Sequence, residues 1–183
     1  KESVKSIDET ISVCLNNNLT FAAYRLPNQT QKELMVQKSS GAEELTNLSK
    51  VTSLKGFLVT PFIQSKKNRI YIIKPDFYFT DEVPDKQFEK VFQINHPPYS
   101  DNKSPLPYEV SEDEYLQLIE NITNAIKKNK IQKAVLSRIK LVNINSKDML
   151  PEAFSKLCDL FPNAFVYVFK TGGHFWMVAT RDP

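Results

Sequence analysis

The sequence is poor in the residues that build several common kinds of functional site. Among its 183 residues are 2 cysteines, 4 glycines, 2 histidines and 1 tryptophan. Cys14 and Cys158 each fall inside a helical pattern, which indicates buried thiols and argues against a disulfide framework or a metal site. The glycines form no G-x-G-x-x-G, no Walker loop and no G-x-S-x-G, so the common nucleotide-binding and hydrolase motifs are excluded.

Long apolar runs and blocks of one charge are missing as well. No stretch approaches the ~18 continuous apolar residues of a membrane-spanning helix, so we expect no membrane association. The 24 basic and 21 acidic residues are scattered, and no basic block is interleaved with aromatic residues, so we expect no nucleic-acid partner. The scarcity of cysteine and the absence of a leader sequence favour the cytoplasm.

The N-terminal part of the chain predicts one helix and two pairs of strands. Apolar residues at helical spacing predict a helix over 4–16. Alternating segments on either side of a Pro-Asn turn predict a hairpin, and a second pair follows after a polar connection at 39–55. The four strands are predicted at 19–26, 33–38, 56–62 and 69–74. Residues 75–110 are rich in proline and predict a surface loop with one short strand at 88–94.

The C-terminal part carries sharper signals. Ser111 and Glu114 form a capping box, which predicts a helix that begins there and runs to about Lys128. A strand over 131–144, a helix over 151–161 and a Gly-Gly hairpin complete the pattern, with the strands of the hairpin at 164–170 and 174–180. Helices and hairpins mix without a βαβ rhythm, so the predicted fold is α+β, with mainly antiparallel sheets and flanking helices.

Lys133 is the residue whose position is chemically unusual. Strand alternation places Lys133 on the same face as Val135 and Ile139, and this apolar face should meet the core. Burial would disfavour the ammonium form, lower the pKa of Lys133 and leave an amine that can act as a base near neutral pH. A lysine at the beginning of a strand can instead extend its ammonium group to water, and the pattern leaves both interpretations open. We expect Trp176 in the core, and His96 and His174 in turns or at the surface.

Four segments in order resemble the chorismate-binding enzymes, the family that includes anthranilate synthase component I. They are 56–62 (GFLVTPF), 131–138 (IQKAVLSR), 161–165 (FPNAF) before the Gly-Gly hairpin, and 176–180 (WMVAT). The resemblance covers most of the chain and is strongest over 111–182. It implies the N-terminal part of that fold, with 1–110 as an N-terminal lobe and 111–183 as the start of the catalytic core. The C-terminal portion of the family domain would then be missing from 1–183.

The resemblance also implies roles for individual residues. Lys133 stands where isochorismate and salicylate synthases carry the lysine that activates water, and where anthranilate synthases carry glutamine. Asp182 stands at the position of the family's general acid, a glutamate, and Arg181 replaces the usual proline before it. Mg²⁺ is implied as a cofactor, with its ligands expected in the missing C-terminal portion.

The implied function is that of an isochorismate synthase, with chorismate as the small-molecule substrate. Water would attack C2 of chorismate with loss of the C4 hydroxyl, in an enzyme that we expect to be a monomer. The 183 residues alone are expected to be incomplete and inactive. Two alternatives stay open: a noncatalytic binding or regulatory module, and a component of an anthranilate or aminodeoxychorismate synthase. The pathway served, whether menaquinone, siderophore or salicylate, also stays open.

Overall fold

The computed structural model describes residues 3–46, 51, 53–61, 69–99, 107–142 and 146–180. Helices and antiparallel strands mix in these residues, which confirms the predicted α+β class. The helices are α1 (Ile7–Asn16), α2 (Asp85–Phe92), α3 (Glu112–Lys127) and α4 (Ser146–Leu160). The strands are β1 (Val4–Ser6), β2 (Thr20–Arg25), β3 (Glu33–Gln37), β4 (Glu43–Leu45), β5 (Phe57–Val59), β6 (Ile70–Ile73), β7 (Phe77–Thr80), β8 (Glu82–Pro84), β9 (Phe165–Thr171) and β10 (His174–Thr180).

Helix α1 begins where a capping box satisfies its first backbone groups. The hydroxyl of Ser6 accepts a hydrogen bond from the Glu9 amide at 3.1 Å, and the Glu9 carboxylate accepts one from the Ser6 amide at 2.9 Å. The helix predicted over 4–16 is therefore confirmed from Ile7 onward, whereas the residues before it form β1.

The larger sheet has seven strands in the order β1-β8-β7-β3-β2-β9-β10, and every pair is antiparallel. Strand β2 lies between β3 and β9, with Tyr24 opposite Glu33 on one side and opposite Tyr167 on the other. Both predicted hairpins, β2–β3 and β9–β10, are confirmed. Because β9 joins β2, the C-terminal hairpin shares a sheet with the N-terminal one.

Helices α1, α2 and α4 cover one face of this sheet. Side chains at helical spacing on α1, including Ile11 and Leu15, are fully buried against Phe21 of β2 and Phe154 of α4. This is the largest group of buried apolar side chains in the described residues. Burial of each such side chain stabilises the fold by roughly 1.5–3 kcal/mol.

A three-stranded sheet, ordered β4-β6-β5, packs on the opposite face through Ile73, Ala22 and Phe169. The predicted pairing of the strands at 56–62 and 69–74 is confirmed by β5 and β6. Strand β4 was not predicted, because its short polar sequence falls in the connection at 39–55. Gly56 permits the close approach of β5 to β6, since a Cβ atom there would lie 2.5 Å from the carbonyl oxygen of Ile73.

Arg25 joins the end of α4 to the β2–β3 turn. It is 2 % exposed, and its guanidinium donates hydrogen bonds to the carbonyls of Phe161 at 2.5 Å, Pro162 at 2.6 Å and Leu26 at 2.8 Å. Each of these carbonyls also accepts a backbone amide hydrogen bond, so the nearly buried guanidinium adds a second, charged donor to each and ties the three segments together.

The strand predicted at 88–94 is wrong. Residues 85–92 form helix α2, whose Phe88 and Val91 face the core while Phe92 is exposed. The three-residue spacing of Phe88 and Val91 fits a helix, but the surrounding prolines favoured an irregular loop. Helix α4 was predicted at 151–161 and begins earlier, at Ser146, so that Pro151 lies in its second turn.

The chain forms two compact units, one of residues 1–100 with 145–183 and the other of residues 101–144. The first contains both sheets and three of the helices, and the second contains α3 and the segment after it. The predicted lobes, 1–110 and 111–183, follow the family's organisation and stay a prediction. In the described part of the chain, no helix combines the length and the apolar character needed to cross a membrane.

Candidate functional site

Lys133, the predicted base, lies in the segment that follows α3. Residues 131–142 form neither helix nor strand, and Val135 within them is 85 % exposed. The prediction of a strand over 131–144 with Lys133 facing a core is therefore wrong for the described residues, and 143–144 lie outside them. A strand is stable only when a neighbour satisfies its backbone groups. No strand pairs with 131–142 in the described part of the chain.

The helix that precedes Lys133 begins as predicted. The Ser111 amide donates to the Glu114 carboxylate at 2.9 Å, and the Glu114 amide donates to the Ser111 hydroxyl at 3.3 Å. The Tyr108 hydroxyl donates to the same carboxylate at 2.6 Å. The Tyr108 and Ser111 donors lower the pKa of Glu114 to about 2, with Tyr108 making the largest contribution. Local hydrogen bonds thus define the start of α3, although none of its side chains is buried.

Arg138 brings the segment after α3 back toward the helix. Its guanidinium carbon lies 5.2 Å from the centre of the Tyr115 ring, within cation–π range. Residues 109–112 and 138–140 border a cleft of about 450 Å³ beside this contact. Lys133 is exposed in the same segment, so the burial that would favour its amine form is not provided by the described residues.

Asp182, the predicted general acid, and Arg181 before it lie outside the described residues. Strand β10, which leads to them, is described as far as Thr180, where the Thr180 hydroxyl donates to the Phe165 carbonyl at 3.3 Å. The structure therefore describes Lys133 but not Asp182, and their pairing as base and acid stays a prediction.

The described residues also bear on the predicted Mg²⁺ site. They contain no group of three or more His, Cys, Asp or Glu side chains arranged to hold a metal ion. Mg²⁺ prefers several oxygen ligands in octahedral geometry. The described part of the chain does not offer such a set.

The face of the large sheet opposite the helices carries a continuous aromatic surface. We use this name for five rings of the large sheet and one ring, Phe57, that β5 of the small sheet adds to them. Neighbouring ring centres lie 4.9–6.3 Å apart, and the five rings are those of Tyr24, Phe165, Tyr167, Phe169 and Trp176. Phe169 is 7 % exposed and belongs to the buried core between the two sheets. Trp176 stacks on Phe169 but is 45 % exposed, so its predicted place in the core is wrong. Strand alternation predicts a shared face, but it does not reveal how far the second sheet covers that face.

A carboxylate with two phenol donors lies at the edge of this surface. The hydroxyls of Tyr24 and Tyr78 both donate to the same carboxylate oxygen of Glu33. Burial first, and then the hydrogen bond to Glu33, raise the pKa of Tyr24. Sequence analysis missed this cluster, although the register of the β2–β3 hairpin, with Tyr24 opposite Glu33, could have indicated it.

Two clefts open on the same face. One, of about 500 Å³, lies beside the aromatic surface and is bordered by Tyr24, Met35 and Thr180. The other, of about 830 Å³, lies at the Gly-Gly hairpin and includes Arg69, His174 and Trp176. Volumes in this range suit small-molecule ligands.

The remaining candidates are structural. Cys14 and Cys158 are free, buried thiols, as predicted, and burial raises the pKa of both. His96 lies in the loop after α2, with its Nε2 atom 2.7 Å from the Lys38 carbonyl oxygen. His174 is the first residue of β10.

A second polar cluster links α1, α4 and the residue before β3. The Ser155 hydroxyl lies 2.6 and 2.7 Å from the carboxylate oxygens of Asp8, and the Lys32 ammonium donates to that hydroxyl at 2.7 Å. These hydrogen bonds link the three elements to one another. Sequence analysis did not find the cluster, because the three residues are far apart in the chain.

The fold defines an α+β protein whose large antiparallel sheet carries helices on one face and, on the other, a second sheet with two clefts beside it. The family model described as "Chorismate binding enzyme" matches residues 7–181, which is nearly the whole chain. The chain belongs to this family, and a chorismate-utilising function follows for it. No curated protein and no solved structure matched the chain.

Proposed function

We propose that this protein contributes to an isochorismate synthase, which converts chorismate to isochorismate. The observation that carries the proposal is Lys133 within the segment 131–138 of a chain that belongs to the chorismate-binding family. Glutamine at this position would indicate an enzyme that uses ammonia. Lysine supplies a proton acceptor, which a water nucleophile requires and ammonia does not.

In the proposed reaction Lys133 removes a proton from water while the water oxygen forms a bond to C2 of chorismate. The ring double bonds shift, the bond from C4 to its hydroxyl breaks, and the departing hydroxide takes a proton from an acid. We assign the acid to Asp182. One water is consumed and one is released, so the product is an isomer of the substrate.

The exposed position of Lys133 sets a condition on this chemistry. Burial disfavours the ammonium form and is the usual way in which a lysine becomes a base. We therefore propose that the bound substrate, together with protein outside the described residues, covers Lys133 during the reaction.

Mg²⁺ is part of the proposal, with its ligands placed by the resemblance outside the 183 residues. When bound, the ion would neutralise carboxylate charge on the substrate. The residues of this chain would supply the base and the acid. The cytoplasm is the proposed location, in keeping with the two free thiols.

The test uses the full-length gene product with chorismate and Mg²⁺, and it measures isochorismate by chromatography. Lys133→Gln should lower kcat by at least about 10²-fold, the usual contribution of a general base. Lys130→Gln is the matched control, since it removes an exposed lysine from the same connection and should leave kcat nearly unchanged. Circular dichroism should be the same for both variants. Full turnover by the Lys133→Gln variant would remove this residue from the mechanism.

A second candidate is a noncatalytic chorismate-binding module, which the exposure of Lys133 and the Arg181–Asp182 sequence favour. Calorimetric titration with chorismate, with and without Mg²⁺, separates the two. Binding without turnover by the full-length product supports the module, and turnover supports the enzyme. Formation of anthranilate or aminodeoxychorismate with ammonium would support the third candidate, a component of an ammonia-using synthase.

A further inference from the structure

We propose that the cleft at the Gly-Gly hairpin binds a planar, ring-containing carboxylate. We call it the hairpin cleft and define it by Arg69, Tyr99, Phe169, Thr171, His174 and Trp176. This inference does not rest on the proposed function, because none of these residues belongs to the site assigned to Lys133.

The floor of the hairpin cleft offers a flat aromatic face. The Trp176 indole stacks on Phe169, with ring centres 4.9 Å apart and planes inclined by 19°. Phe169 is 7 % exposed and holds the indole from below, whereas Trp176 is 45 % exposed. The ring of His174 lies 6.0 Å from the indole. A planar ring of a ligand can stack on such a surface in the offset arrangement that aromatic pairs prefer.

One wall, formed by residues 40–42, is held in place by side chains of the sheet. The Gly41 amide donates to the Thr20 hydroxyl at 2.9 Å, and the Ala42 amide donates to the Thr171 hydroxyl at 2.8 Å. The Gln37 side chain, 4 % exposed, donates to the Gly41 carbonyl at 2.6 Å. A wall fixed in this way loses little conformational freedom when a ligand binds.

The opposite side is formed by Tyr99 and the hairpin turn. Gly172 has φ = 60°, and a Cβ atom at this position would lie 3.4 Å from the Tyr99 ring. The loop that carries Tyr99 is fixed to the rest of the unit by His96, whose ring nitrogen lies 2.7 Å from the Lys38 carbonyl oxygen. Both walls therefore exist before a ligand arrives.

Arg69 gives the cleft guanidinium N–H donors beside the aromatic floor. Arg69 forms an ion pair with Glu44, which raises the pKa of Arg69 and uses one of the five guanidinium N–H donors. The other donors can form the paired hydrogen bonds that a carboxylate accepts from arginine. No acidic side chain occurs among the described residues that line the cleft, and Glu44 contacts Arg69 from outside this lining. An aromatic floor beside an arginine thus fits a ring that carries a carboxylate.

The test uses benzoate as the probe and the fluorescence of Trp176 as the signal. Trp176 is the one tryptophan of the 183 residues, so the signal comes from the cleft itself. Benzoate should change the emission in a saturable way. Benzamide, which has the same shape without the charge, should bind at least about tenfold more weakly, because it lacks the charge-assisted hydrogen bonds.

Arg69→Gln should weaken benzoate binding at least about tenfold, since the charge-assisted hydrogen bonds to the ligand are lost. Lys74→Gln is the matched control, because it removes the ion pair between Lys74, which follows β6, and Glu43 of β4, and Lys74 does not line the cleft. Lys133→Gln should bind benzoate as the parent does, which separates this inference from the proposed function. Absence of saturable binding, equal affinity for benzamide, or unchanged affinity in Arg69→Gln would each overturn the proposal.

Discussion

Similar helical sequence patterns lead to buried apolar side chains in one compact unit and to exposed ones in the other. In the unit that contains the sheets, α4 buries Phe154 completely and Cys158 almost completely. In the unit of residues 101–144, α3 has an equally periodic set of apolar residues, yet Leu116 is 54 % exposed, Leu118 44 % and Ile119 38 %. Periodicity therefore predicts which side chains share a face of a helix. It does not predict whether another element covers that face.

The same contrast applies to the strands. Residues 165–171 become β9 because β2 and β10 satisfy their backbone groups on both sides. Residues 131–142 have comparable alternation but no pairing strand among the described residues, and they stay irregular. Strand formation depends on a partner from elsewhere in the sequence, whereas a capped helix such as α3 satisfies its own backbone.

The largest difference between the units should appear when one apolar side chain is removed from each helix. Phe154→Ala should reduce the free energy of unfolding by about 3–5 kcal/mol, because it leaves a cavity in the core. Leu118→Ala on α3 should change it by less than about 0.5 kcal/mol, since an exposed position loses little packing. Urea denaturation followed by circular dichroism measures both. Equal losses would mean that the α3 face is covered in solution.

Two arginines provide the second comparison. Arg25→Met should cost about 1.5–3 kcal/mol, because charge-assisted hydrogen bonds to the carbonyls of Phe161 and Pro162 are lost, although each carbonyl keeps one backbone amide donor. Arg138→Met should cost less than about 1 kcal/mol, the usual value of an exposed cation–π contact. Thermal unfolding of both variants checks the ranking. A larger loss of stability for Arg138→Met than for Arg25→Met would contradict the buried position of Arg25 and the exposed position of Arg138.

The smallest effect concerns the two capping boxes, one in each unit. Hydrogen bonds from Ser6 lower the pKa of Glu9, and the added donor Tyr108 lowers that of Glu114 to about 2. A depressed carboxyl pKa contributes stability above its ordinary value of 4.5, and this contribution is lost as the pH falls from 4.5 toward 2. Tyr108→Phe should therefore raise the pKa of Glu114.

Carbon-detected NMR titration of the glutamate carboxyls measures this shift. Tyr115→Phe serves as the control, because Tyr115 lies on α3 but donates to no capping residue in the described structure. A Glu114 pKa that is the same in Tyr108→Phe and the parent would show that the Tyr108 hydrogen bond does not persist in solution.

Most of the fold could be predicted from local signals. The hairpins β2–β3 and β9–β10 follow from alternation around a turn, and α3 follows from its capping box. Helix α2 was harder to predict. Pro84 and the prolines after the helix favour a loop, whereas in the structure Pro84 directly precedes the first helical residue. The order of strands in the sheet depends on contacts between distant segments, which no local pattern encodes.

The site was predicted less completely. The segment that carries Lys133 was found from its residues, but the burial of Lys133 was inferred from a strand that the described structure lacks. The carboxylate of Glu33 with its two tyrosines depends on the pairing of three strands and escaped sequence analysis. Family membership, in contrast, is carried by the order of several segments together, and the match over 7–181 confirms it.

The most direct test of the proposed function is an isotope experiment on the full-length gene product. Chorismate is incubated with Mg²⁺ in water enriched in ¹⁸O, and the product is identified by mass spectrometry. The proposal predicts isochorismate with one ¹⁸O atom at C2, and none formed by Lys133→Gln. Unlabelled isochorismate, or an amino product formed only with ammonium, would contradict the assignment of Lys133 as the base that activates water.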